Sequence, residues 1–191
     1  EEVIAELTHL ARRSPDISQR SGVSVRVTVA NTEVLEAAAL KRAVRLREPL
    51  ASPRISDLDA VIATTAGKIE LETIGDEAPE ERIIERLISR AIHTTFTRRV
   101  RLDDLEPIVE AFESGFTIEV GDLTPSRRYA AWAGEIPGLS NAVHRLGAFD
   151  VTDGAEEPAV VASAVEFLLE GLHLARRLNK ERVGPGAVYH R

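Results

Sequence analysis

Ile83, Ile84, Leu87, Ile88, Ala91 and Ile92 recur at intervals of three and four residues, the spacing that lines one face of an α-helix. Pro79 precedes the stripe, and Glu80 and Glu81 sit where the positive end of a helix favours negative charge, so a long helix is predicted from there to about Phe96. The same period returns in Val3, Ile4, Leu7, Leu10 and Ala11, in Leu35, Ala39, Ala43 and Leu46, in Leu105, Ile108, Val109 and Phe112, and in Val161, Val165, Leu168, Leu172 and Ala175. A stripe of this kind leaves water only by meeting another apolar face, so a chain made of them folds by packing helix on helix. Aromatic residues make up only 4% of the chain, and the core is therefore expected to be aliphatic. The fold class predicted is mainly α.

The breaks between stripes set the organisation. Pro15 disfavours helix at Ser14 and closes the first helix. Residues 15–30 have no clear period, contain Gly22 and several serines, and are expected to form a loop, with Asn31 or Thr32 capping a second helix that Pro49 stops. Ser56-Asp57-Leu58-Asp59 carries the spacing of a helix start, and Gly67 is expected to end that helix in the left-handed conformation. These three helices make a bundle over residues 1–75. Lys68–Ile74 and Phe116–Val120 alternate apolar with polar residues and predict a small two-stranded antiparallel ribbon lying on the helices. Short helices over Ser126–Trp132 and Leu139–Leu146 bracket Pro137-Gly138, and residues 76–179 form a helical extension. Residues 180–191, with Gly184-Pro185-Gly186, are expected to be a flexible tail. The chain has no methionine and opens inside a helical pattern without an N-cap residue, as a piece of a longer protein would.

Several kinds of chemistry are excluded or disfavoured. Without cysteine there is no disulfide, thiolate metal site or cysteine nucleophile, and a reducing, cytoplasmic location is expected. No run approaches the ~20 apolar residues of a membrane span, so membrane insertion is not expected. A net charge of -7 opposes binding to nucleic acid. The sequence holds no G-x-x-x-x-G-K-[ST] loop, no G-x-S-x-G turn and no H-E-x-x-H, and its five histidines are scattered; no metal ligands or catalytic residues are assigned. The acidic pairs Asp103-Asp104 and Glu156-Glu157 fall at helix starts, where negative charge is stabilising in any case.

One segment is unusual for a connector: Ser18-Gln19-Arg20-Ser21-Gly22-Val23-Ser24-Val25-Arg26, a polar, glycine-containing entry to a helix with two arginines. Followed by a helix, then Pro53-Arg54-Ile55-Ser56-Asp57-Leu58 and another helix, it resembles the lid of the magnesium-chelatase and MoxR branch of AAA+ ATPases. The likeness covers the first third to two fifths of the chain. The later helices, Glu80–Ile88 among them, resemble the C-terminal extension of magnesium-chelatase-like bacterial proteins. The resemblance implies a three-helix lid at 1–75 and makes Arg26 the sensor-2 arginine that reaches nucleotide on a neighbouring core domain, with Arg20 as the competing candidate. Guanidinium suits that role, since it is always charged and its fork matches phosphate oxygens. ATP and Mg2+ are implied for the whole ATPase and not for this chain alone. The implied partners are its own AAA+ core, neighbouring ring subunits and an integrin-like (von Willebrand A) domain protein. Walker A, Walker B, sensor 1 and the arginine finger all lie outside this sequence, so it is not expected to be an enzyme on its own.

A second reading is a stand-alone helical interaction or regulatory module whose apolar grooves accept a partner helix. A lid keeps Arg26 exposed beside open apolar surface, and burial of Arg26 in a local salt bridge would count against it, whereas an adaptor is expected to have a complete, self-contained core and a gene start close to Glu1. A small independent enzyme is the least supported reading, because no nucleophile, metal cluster or phosphate loop is visible.

Overall fold

The structure, a computed structural model, describes residues 1–18, 23–70, 79–147, 157–184 and 186–191. Its α-helices are α1 (Glu2–Ala11), α2 (Val25–Leu46), α3 (Asp59–Ala66), α4 (Glu80–Arg99), α5 (Glu106–Glu113), α6 (Ser126–Glu135), α7 (Leu139–Arg145) and α8 (Pro158–Leu174). Single 3-10 turns, Ile55–Leu58 and Leu102–Leu105, lead into α3 and α5. Three short strands, β1 (Ile118–Val120), β2 (Asn179–Val183) and β3 (Gly186–His190), form an antiparallel sheet in the order β1-β3-β2. The mainly helical class with a small ribbon holds.

The first aliphatic core gathers Ile4, Leu7 and Ala11 of α1, Val27 and Leu35 of α2, Val61 of α3, and Ile83 to Ile92 of α4. The second joins Phe96 to α5, α6, α7, α8 and the sheet, with Leu168, Leu169 and Leu172 fully enclosed. The division between the cores falls within α4, between Ile92 and Phe96, whereas the boundary expected between 75 and 76 lies outside the described residues. Gly171 of α8 is where α4 comes closest: a Cβ there would stand 2.0 Å from the Phe96 ring, so only glycine admits this approach.

Several boundaries differ from expectation. The second helix begins at Val25, because Ser24 accepts a hydrogen bond from the Arg26 N–H at 3.2 Å and serves as its N-cap; Asn31 lies inside the helix, buried, and donates to Thr65 Oγ1 at 2.9 Å. Gly67 has φ -74, outside the left-handed region. The start signal at 56–59 works through Asp57, whose carboxylate accepts the Arg54 N–H at 2.8 Å and nucleates the 3-10 turn ahead of α3.

The ribbon has a different partner. β1 pairs with β3, and Leu71–Ile74 of the other expected strand lies outside the described residues; Lys68–Glu70 runs beside Ser18, whose N–H donates to the Glu70 carbonyl at 2.7 Å. The expected tail is a β-hairpin. Ala187 and Tyr189 of β3 alternate into the second core, so the last strand is held by side-chain burial as well as by ladder hydrogen bonds.

Candidate functional site

The start of α2 is anchored from α1. Arg12 Nε donates to the Val23 carbonyl at 3.0 Å, and the Thr8 and Thr28 hydroxyls meet at 2.9 Å. Between the two helices runs an open groove lined by Ala5, His9, Val25, Val29, Thr32 and Glu33. Val25 and Val29, one turn apart, are 65% and 52% exposed, an apolar edge left in water.

Arg26 stands in the first turn of α2, beside this edge, and is exposed. Its side chain has no hydrogen bond or ion pair among the described residues. Asp16, the acid that could have neutralised it, lies 3.9 Å from Arg86. No acidic residue occupies the first turn of α2, so Arg26 adds a cation to the positive end of a helix. That placement is unfavourable by a few tenths of a kcal/mol up to about 1 kcal/mol, and no contact of its side chain among the described residues offsets it. What the cation and the positive end of the helix share is attraction for an anion. Arg20 lies outside the described residues.

No protein-family model, curated protein or solved structure matches the chain. Its function therefore has to be argued from its own geometry.

The second notable feature is a buried polar joint between the two cores. Arg42 of α2 grips Asp57 with Nε and Nη2, at 3.1 and 2.9 Å, while Nη2 also donates to the Ser52 carbonyl at 2.7 Å. Burial works against this charge, but the hydrogen bonds and the field of Asp57, with Glu166 and Glu48, outweigh it and hold the Arg42 pKa above its ordinary value. Arg54, whose side chain is wholly enclosed, crosses from the first core to the second. It donates to the Thr124 carbonyl at 2.8 Å and to Ser126 Oγ at 2.6 Å, and its guanidinium lies 4.6 Å from the Tyr129 ring centre. Glu48 accepts the Ser126 N–H at 2.5 Å through Oε1, while Oε2 lies 3.6 Å from both arginines.

Glu166 of α8 completes the joint. Its carboxylate receives the Ser56 N–H at 2.8 Å, the Ser56 hydroxyl at 3.3 Å and the Tyr129 hydroxyl at 2.5 Å. Burial raises its pKa above the carboxylate range despite these donors and Arg54, and burial beside Glu166 also pushes the Tyr129 hydroxyl upward. One turn along α8, Glu170 takes hydrogen bonds from Lys180 Nζ at 2.7 Å and from the Tyr189 hydroxyl, whose pKa is likewise raised by burial and by Glu170. Both glutamates face a cavity of about 100 Å³ roofed by Lys180 and Arg182 of β2. Since each carboxylate is already served by donors from another element, their arrangement is that of a structural joint. Among the described residues, no group of three or more acidic or histidine side chains is placed to hold a metal ion.

These buried groups escape sequence inspection because Arg42, Arg54, Tyr129 and Glu166 are separated in the chain, and the one quoted segment among them, Pro53–Leu58, assigns Arg54 no role. A pH dependence follows. A carboxyl with a raised folded pKa binds its proton more tightly folded than unfolded, so its contribution to stability falls as pH rises from the ordinary carboxylate range through the raised value. Glu166→Gln, whose single carbonyl oxygen can still accept from the Tyr129 and Ser56 hydroxyls although its amide cannot accept the Ser56 N–H, does not ionise and is expected to flatten that decline. Urea unfolding across this range should show the variant gaining on the parent chain as pH rises; a parallel pair of curves would exclude Glu166 as the titrating group.

Proposed function

We propose that this chain is the lid and C-terminal extension of an AAA+ ATPase of the magnesium-chelatase and MoxR type, and that Arg26 is the side chain it extends to nucleotide bound on the core domain. The observation that carries the reading is the state of Arg26: an exposed guanidinium with no partner among the described residues, at a helix start, against the dipole and next to uncovered Val25 and Val29. In a lid this combination has a purpose. The apolar edge packs on the core, and closure carries a permanent cation to phosphate oxygens, where its fork can donate two hydrogen bonds. ATP and Mg2+ would be held by the core, ring subunits and a von Willebrand A-like protein would be the partners, and this chain would hydrolyse nothing alone.

The reading of a stand-alone helical adaptor explains the exposed valines but gives Arg26 no role. Nucleotide-dependent protection separates the two. In the whole ATPase, a non-hydrolysable ATP analogue is expected to slow amide hydrogen exchange over residues 23–33 while leaving the hairpin at 179–190 unchanged. Exchange at 23–33 that ignores bound nucleotide would remove the lid reading.

A further inference from the structure

The buried joint leaves one acceptor over. Glu170 is 6% exposed and lines the cavity of about 100 Å³, yet both of its donors, Lys180 Nζ and the Tyr189 hydroxyl, reach the same oxygen, Oε2. Oε1 has no hydrogen bond among the described residues. An ionised carboxylate is an acceptor on both oxygens, and an enclosed acceptor without a donor is costly, so whatever fills the cavity has to donate to it. The cavity lies between α3, α4, α8 and the sheet; α2, which carries Arg26, contributes nothing to it.

The charges around the cavity select the kind of donor. Four acids line it, Asp59, Glu85, Glu166 and Glu170, against two cations, Lys180 and Arg182. Lys180 is held by Glu170, Arg182 stands 3.9 Å from Glu85, and the field of Arg54 offsets Glu166. Asp59, exposed at the start of α3, is left with no ion pair among the described residues. Lys180 has N–H groups to spare, but its side chain is 21% exposed and meets water, whereas the Glu170 side chain is 8% exposed. The need that water meets least well is therefore for a donor, at the bare oxygen of Glu170.

The remaining wall is aliphatic, with Leu58, Ile62, Ile88 and Ile92 facing the space. We propose that this cavity binds a small aliphatic primary ammonium ion, which donates to Glu170 Oε1 and lays its short chain against Ile62, Ile88 and Ile92. The space is that of about three waters, which limits the ligand to roughly four or five non-hydrogen atoms. A carboxylate of the same size would bring a second anion to Glu170 and Asp59. A metal ion fits less well, since no three acidic or histidine side chains among the described residues converge to hold one.

The test titrates propylammonium, 1-propanol and propionate, matched in length, into the 15N-labelled chain at neutral pH. Propylammonium is expected to give saturating amide shifts around Ile88–Ile92 and Glu170, with a Kd on the order of 1 mM and at least about 10-fold below that of either control. Glu170→Gln should weaken it by about 10-fold or more. That change also disturbs the bonds to Lys180 and Tyr189, so Ser89→Leu serves as a second variant. Ser89 lines the cavity from α4, and leucine there keeps every charged group while taking up the ligand's space, so the shifts should be lost. An equal response to propanol or propionate, no saturable response to the ammonium, or an unchanged response in either variant would overturn the inference.

Discussion

Arg54→Ala is expected to cost about 3–5 kcal/mol of folding stability, because it removes one partner from a buried charge network and leaves the others without compensation. The enclosed guanidinium holds the Thr124 carbonyl and Ser126 Oγ of the second core while its own backbone N–H is held by Asp57 of the first. Without it, Glu48 keeps the Ser126 N–H and the 3.6 Å contact to Arg42 but loses its second cation, and Glu166 loses a nearby cation that offsets its burial. At roughly 2–4 °C per kcal/mol for a chain of this size, the melting temperature should fall by about 10 °C. Arg54→Lys should recover little, since an ammonium cannot reach the two acceptors with a fixed fork and lacks the flat face set over Tyr129. Calorimetry of both variants checks this, and a fall of under about 1 kcal/mol would mean that the joint is solvated and does not tie the cores together.

That joint also determines what the first half can do. Ser56 and Pro53, in the segment before α3, are hydrogen-bonded to Glu166 and Ser163 of α8. The bundle that carries Arg26 is therefore bonded to α8 on the same face whose Glu170, one turn along, holds Lys180 and Tyr189 of the sheet. Separating the two would expose Arg54, Asp57 and Glu166 at once.

The helices were legible wherever an apolar stripe was uninterrupted, as in α1, α4, α5 and α8, since burial of one face is what fixes a helix in place. The start of α2 was not. Val23, Val25, Val27 and Val29 alternate with polar residues and follow a serine-rich stretch; the structure buries Val27 and leaves Val25 and Val29 exposed, so no stripe announces the helix. The cap that does announce it, Ser24, is one serine among several. The hairpin at 179–190 was hidden for a related reason: β2 is a mostly exposed edge strand of Asn, Lys, Glu, Arg and Val with no alternation to read, and β3 buries only Ala187 and Tyr189. For the candidate site, Arg26 stands out only through the resemblance of its segment to a lid, since residue type alone does not separate it from Arg20. Arg54, Tyr129 and Glu166 could not be found that way, because their roles come only from the fold that brings them together.

The central claim is that the guanidinium at position 26 stabilises negative charge on a nucleotide phosphate. ATP turnover by the proposed parent ATPase carrying Arg26→Ala tests it most directly, with Arg26→Lys alongside to separate charge from fork geometry. Loss of one such donor is expected to lower kcat by about 10-fold or more, with the lysine variant recovering part of the rate. Because Arg26 is exposed and has no side-chain partner among the described residues, thermal stability should not move with it. Turnover equal to that of the parent protein, with nucleotide bound and the fold intact, would contradict the claim.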